Sequence, residues 1–238
     1  MTMSRCFSKV FDEPMKERGF KRKGILYYRL NGEILQGITM KTVNPYIISF
    51  NFHPWWMHDL KKESWETEKY IKTNVWAEAF DKWGFYFCSS EEEEALEDME
   101  TMLDWVIESA IPALDRVSTV DDYIRIMMEN IELDSPVPEI CGYHSRVNQY
   151  ALLYKAWRDQ SFENTHRIFD EFIERDIADS KKCNPLSSDE NLYNYLMRRY
   201  SVLVSKMEEN DYSSFEAIYE EECAKMRELL QTYLKLTV

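Results

Sequence analysis

Apolar positions recur along this chain in two rhythms. Near the N-terminus they alternate, and further on they return every three or four residues. Cys6, Phe7, Val10, Phe11 and Met15 fall at helical spacing, and Gly19 stands where such a helix would end. Residues 25–30 are rich in β-branched and aromatic side chains and read as a strand. Asn31-Gly32 follows as a hairpin turn whose two central residues both need positive φ. Residues 33–42 form the returning strand, with Ile34, Ile38 and Met40 on one face. Asn44-Pro45 marks a second turn, 46–53 a third strand and 85–87 a fourth. Between them, 54–62 reads as a loop with bulky side chains and 63–82 as partly helical, with Ile71, Val75, Trp76, Ala79 and Phe80 on one face.

The helical rhythm takes over after residue 89. Ser89 with Glu92, or Ser90 with Glu93, makes a capping box, and the glutamates suit the positive end of a helix. Ala95, Leu96, Met99, Met102, Leu103, Val106, Ile107 and Ala110 form one continuous stripe, and Pro112 predicts an end or a kink. Val120, Tyr123, Ile124, Met127, Met128 and Ile131 form the next amphipathic set. The stretch 132–145, with two prolines and a glycine, is a linker candidate. Helices follow near 146–159 and 162–177, then a break at SKKCNPLSS. Ser187 and Glu190 cap a helix to 208, and the last helix runs from 213 to 235.

The stretch 157–172 can be laid over 207–222. Asp159, Gln160, Phe162, Ile168 and Phe169 then meet Glu209, Asn210, Tyr212, Ile218 and Tyr219. The pattern is similar to tetratricopeptide hairpins, but the period is too long and the glycine and alanine signature is absent. Two helical hairpins built by the same packing rules explain it. The expected fold class is α+β. An N-terminal antiparallel four-stranded sheet with flanking helices spans 3–117, and an all-helical C-terminal region of about five helices spans 118–238.

Composition narrows the function. Aromatic residues are 14 % of the chain, enough for a sizeable core. The net charge is −14, yet residues 1–60 carry nine Lys or Arg against five Asp or Glu, so the acid surplus lies in 61–238. Such a chain repels phosphate backbones and anionic membranes and attracts a basic protein partner. No apolar run approaches a membrane span and no secretory signal is visible, so a cytoplasmic location is expected. Five scattered cysteines without a CxxC pair support neither a disulfide framework nor structural zinc, and fit a reducing compartment.

The segments MKERGFKRKGILYYR (15–29), IISFNFHP (47–54) and ESAIPALD (108–115) carry a resemblance. Over roughly 3–117 the chain resembles a bacterial family, domain of unknown function 4304. That family tends to place a glutamine inside the second strand; here Gln36 comes early and Met40-Lys41 sits near the expected place. The resemblance implies an α+β fold with an antiparallel sheet and no assigned reaction. Some members look like neighbours of polymorphic toxin systems, which implies an antidote role.

Candidate chemistry is sparse. His53 and His58 bracket Pro54-Trp55-Trp56-Met57, and Asp59 follows. A spacing of five across a proline does not aim two imidazoles at one ion, so no metal and no cofactor is expected. Trp55 and Trp56 are adjacent, and one exposed tryptophan would make an interface anchor; covered by the helical half, they would join the two halves. Cys141 and His144 lack an orienting carboxylate. Arg18, Lys21, Arg22 and Lys23 are the densest basic run, suited to a phosphate or to the solvated mouth of a strand. The glutamates 91–94 point around a helix axis rather than at one cation. No GxGxxG, Walker, HExxH or GxSxG pattern occurs. The expected function is a non-enzymatic protein-binding module, an acidic antidote or immunity-type protein masking a basic partner. The alternative is a small-molecule or enzyme site at the junction of the halves, lined by His53, Trp55, Trp56 and His58.

Overall fold

The computed structural model describes residues 3–41, 46–56, 86–87, 91–129, 149–183 and 185–238. The expected helix at 63–82, the linker at 132–145, Ser89, Ser90, His58, Cys141 and His144 lie outside the described residues. The fold is α+β, with an antiparallel sheet near the N-terminus and helices through most of the other described residues. The described residues group into two compact units. One draws on 1–123 and 226–238, the other on 124–134 and 138–225. A cut at residue 117 would leave 226–238 with the helical region; its contacts place it with the sheet.

In the first unit, α1 (Met3–Glu17) ends as the sequence suggests. Gly19 is left-handed at φ 79°, and the amides of Gly19 and Phe20 donate to the carbonyls of Lys16 and Met15 at 3.0 Å each. The sheet is a meander of β1 (Lys21–Lys23), β2 (Leu26–Asn31), β3 (Ile34–Lys41), β4 (Tyr46–Pro54) and β5 (Tyr86–Phe87), all neighbours antiparallel. The four expected strands are present. The short edge strand β1 is additional, joined to β2 through Gly24-Ile25 with Gly24 at φ 64°.

The β2–β3 turn differs from expectation by one position. Asn31 pairs with Ile34, so Gly32 and Glu33 are central, and of these only Gly32 is left-handed. That is the pattern of a type II′ turn, with glycine first. Tertiary contacts select it. The Asn31 side-chain amide donates to the carbonyls of Asp115 and Val117, at 3.2 Å each. The Glu33 amide donates to the Ser118 carbonyl at 2.8 Å, and the Glu33 carboxylate accepts from the Val120 amide at 2.9 Å.

Strand alternation sends side chains to two faces, and both are covered. On one, Tyr27 packs on Phe7 and Phe11 of α1, with ring centroids 5.4 and 6.2 Å away. The Tyr27 hydroxyl donates to Asp12 at 2.6 Å; burial and this carboxylate push its pKa up. On the other, Leu26, Tyr28 and Leu35 pack with Met226, Leu230, Leu234 and Leu236 from the far end of the chain.

Helix α2 (Glu92–Trp105) packs against α1. Its N-cap is Glu91 without a side-chain cap, so neither expected serine box starts it. Pro112 does not stop the helix. It cannot donate back one turn, and the backbone widens into a π-turn (Val106–Ala110) before α3 (Ile111–Asp115). Helix α4 (Val120–Glu129) starts with a reciprocal cap. The Asp122 amide donates to the Thr119 hydroxyl at 3.1 Å, and the Asp122 carboxylate accepts from the Thr119 amide at 3.1 Å.

The second unit contains α5 (Gln149–Asp159), α6 (Glu163–Cys183), α7 (Asp189–Arg199), α8 (Ser201–Glu209) and α9 (Phe215–Leu229), whose last turn passes into the first unit. The α7 cap is Ser188, which accepts from the Asn191 amide at 3.2 Å, rather than Ser187. The expected helix to 208 is broken at Tyr200, whose ring is held edge-on by Phe169 and Phe172 at 5.5 and 5.3 Å.

The overlay of 157–172 on 207–222 has a structural counterpart. Gln160 and Asn210 are both left-handed, at φ 51° and 52°. The Gln160 and Ser161 amides donate to the carbonyls of Trp157 and Ala156, and the Asn210 and Asp211 amides to those of Met207 and Lys206. The equivalent rings of Phe162 and Tyr212 touch each other at 5.7 Å. Two helix ends with the same cap thus meet through the residues just past the caps.

Candidate functional site

Helix α2 divides its residues sharply. Ala95, Met99, Met102 and Val106 are buried, and Ala110 continues the stripe. The opposite, exposed stripe is Glu93, Glu97, Glu100, Asp104 and Glu108, all acidic. None of these five makes an ion pair among the described residues. The sequence between Lys82 and Arg116 contains no Lys or Arg, so the helix carries no cation of its own. Asp115, at the end of α3, pairs with Arg29.

This arrangement costs stability. Like charges three or four residues apart on a helix repel by about 0.2–0.5 kcal/mol per pair. Acids near the first turn suit the helix dipole, but Asp104 and Glu108 stand toward the negative end. Helices of the second unit offset their acids with nearby bases. Lys155 meets Asp159 at 2.6 Å, Arg167 meets Glu171 at 2.8 Å and Lys225 meets Glu221 at 2.7 Å, each at i,i+4. The stripe Glu93, Glu97, Glu100, Asp104 and Glu108 is therefore a concentrated negative surface without an ion pair among the described residues. The signal was present in the sequence as i,i+4 acids over a stretch without bases.

Of the expected site residues, His53, Trp55 and Trp56 are described, and His58 lies outside the described residues. Through its pairing with Leu35, His53 shares the sheet face that receives 226–236, and its Nδ1 lies 2.8 Å from the Pro54 carbonyl. Trp55 is half-buried against the Leu26–Tyr28–Leu35 cluster, with the Arg227 guanidinium 5.4 Å from its ring centre. Trp56 is buried. Trp56 is thus enclosed within the first unit, while Trp55 keeps part of its surface exposed.

The basic run is committed too. The Lys21 ammonium donates to the Lys235 carbonyl at 2.9 Å and the Lys23 ammonium to the Tyr233 carbonyl at 2.7 Å. Arg22 pairs with Asp12 at 2.6 Å, and Arg18 donates to the Pro14 carbonyl at 2.8 Å. The alternation of β1 explains the split: Lys21 and Lys23 point to one face of the sheet, and Arg22 to the other.

One buried polar cluster fastens the sheet to the chain at the end of α3. Gln36 is fully buried. Its side-chain nitrogen donates to the carbonyls of Leu114 at 2.6 Å and Val117 at 3.1 Å, and its oxygen accepts from Arg29 Nε at 2.8 Å. Arg29 also donates to the Arg18 carbonyl at 3.0 Å, pairs with Asp115 and stacks 4.4 Å from the Phe20 ring centre. Every polar atom of Gln36 is satisfied from within, so this cluster is structural.

Among the described residues no group of three His, Cys, Asp or Glu side chains is placed to hold a metal ion. No helix among them is long and apolar enough to cross a membrane. No family model, no curated protein and no solved structure matches this chain.

Proposed function

We propose that this protein is a non-enzymatic binding module that receives a basic protein partner on the acidic face of α2. It would act as an antidote or immunity-type protein, masking the partner by charge complementarity. The observation that carries this reading is the stripe Glu93, Glu97, Glu100, Asp104 and Glu108, exposed and without ion pairs among the described residues. Lysines or arginines from a partner would relieve its repulsion, and the field of the stripe would speed encounter. The net charge of −14 adds long-range attraction of the same sign.

The test is affinity capture of the tagged protein from its own cell extract at low and high salt, beside a Glu97→Lys, Glu100→Lys, Asp104→Lys variant. One basic protein at unit stoichiometry, lost in salt and lost in the variant, is the expected result. No complex at low salt, or a complex that the variant binds equally well, overturns the reading.

A further inference from the structure

The segment Met226–Leu236 completes a sheet whose strands were laid down near the other end of the chain. Met226, Leu230, Leu234 and Leu236 are 2, 0, 0 and 6 % exposed, against Leu26, Tyr28 and Leu35 at 0, 4 and 1 %. Without this segment Leu26, Tyr28, Leu30 and Leu35 would face water together, an apolar patch that a sheet of short hairpins cannot carry alone.

The contact is also polar in one specific way. The helix closes with a π-turn (Leu230–Leu234), and Lys235 is left-handed at φ 53°. The carbonyls of Tyr233, Leu234 and Lys235 are the unsatisfied end of that helix. They accept, in order, from the Lys23 ammonium at 2.7 Å, the Tyr28 hydroxyl at 2.7 Å and the Lys21 ammonium at 2.9 Å. Three consecutive carbonyls thus meet three donors from one hairpin, and two of the donors are cations at the negative end of a helix. The dependence is mutual: the sheet needs the segment for its apolar face, and the helix end needs β1 and β2 for its carbonyls.

We propose that Met226–Leu236 is a late-closing strap. The sheet of the first unit gains its protected state only when this segment docks, and the Lys21–Lys23–Tyr28 clamp seats it. Residues 28 and 234 stand 206 positions apart, so closure must wait for chain that emerges long after β1–β4. Until then the open face is an exposed apolar surface, and closing it removes a self-association hazard from the folding chain.

The test is refolding of the full chain under pulsed hydrogen exchange read by mass spectrometry. Amides of 26–38 and of 226–236 are expected to gain protection in one shared phase. Leu234→Ala should lower protection in both by more than ~10-fold and leave α5 and α6 unchanged; Gln231→Ala, at an exposed position of the same segment, should alter neither. Protection of 26–38 in an earlier phase that Leu234→Ala does not touch overturns the proposal. Should Leu234→Ala fail to fold, Tyr28→Phe removes only the hydroxyl. Equilibrium exchange that then rises in 26–31 and 230–236 together supports the strap, and a rise confined to 230–236 overturns it.

Discussion

The phenol of Tyr28 and the carbonyl of Leu234 meet at 2.7 Å across 206 positions of chain. The hydroxyl is buried with its partner, and burial pushes the Tyr28 pKa up, so the donor stays protonated. Lys21 and Lys23 flank it on the carbonyls to either side. Two bases of the densest basic run, Lys21 and Lys23, thus close a helix end.

Gly32→Ala is expected to destabilise the protein by about 1–3 kcal/mol. The residue is left-handed, and a Cβ there would overlap the Ser118 carbonyl oxygen, a backbone atom that cannot swing away. Urea unfolding measures this. A loss within error would mean that the hairpin does not dock on Ser118.

Gln36→Leu should cost about 1–3 kcal/mol despite similar volume. It takes one of two donors from each of the Leu114 and Val117 carbonyls, which keep the Val117 amide and the Asn31 side chain, and it removes the acceptor from Arg29 Nε. Arg29→Lys should also destabilise, because an ammonium cannot reproduce the planar fork that reaches Gln36, Arg18 and Asp115. Thermal melts of both variants and the double variant would show sub-additive losses; full additivity would separate the two residues.

Asp211 titrates low, at about 2, because the Ser214 hydroxyl and amide and the Ser213 hydroxyl hold its carboxylate and Lys206 lies near. An unfolded aspartate titrates near 3.8. The folded value is the lower one, so the stabilisation is complete above the unfolded value and is lost as pH falls toward 2. The α8–α9 corner should loosen across that window, and Asp211→Asn should abolish the dependence. Carboxyl carbon NMR gives the midpoint; a value near 3.8 would refute the arrangement.

Glu97→Lys should raise stability by about 0.5 kcal/mol, since it replaces repulsion from Glu93 and Glu100 with attraction. The gain should shrink in high salt. Melting curves at two ionic strengths check it. A destabilised variant would show that the acids of α2 have compensation inside the protein.

The sheet and most helices were legible because they follow local periodicity. β2, β3 and β4 fall within a residue or two of the alternating stretches, and Gly19 ends α1 as its backbone freedom suggests. Gly24 was a readable turn signal for β1, masked by the basic side chains around it. The turn at Gly32 was legible as a turn but not in its register. Asn31 is drawn into the strand by the carbonyls of Asp115 and Val117, and nothing near it in sequence announces them. The acid stripe of α2 was visible as a spacing, while its exposure depended on which face α1 covers.

The sequence by itself determined the element types, the α+β class and the acid surplus, because periodicity, turn residues and charge act within a few positions. Only the tertiary structure decided that 226–236 belongs to the sheet, that Lys21, Lys23 and Tyr28 cap its end, and that Gln36 is satisfied by Leu114 and Val117. An apolar stripe specifies that it will be buried but not against which surface. Leu230 and Leu234 would suit any greasy face, and it is the row of donors on β1 and β2 that matches this helix end to this sheet.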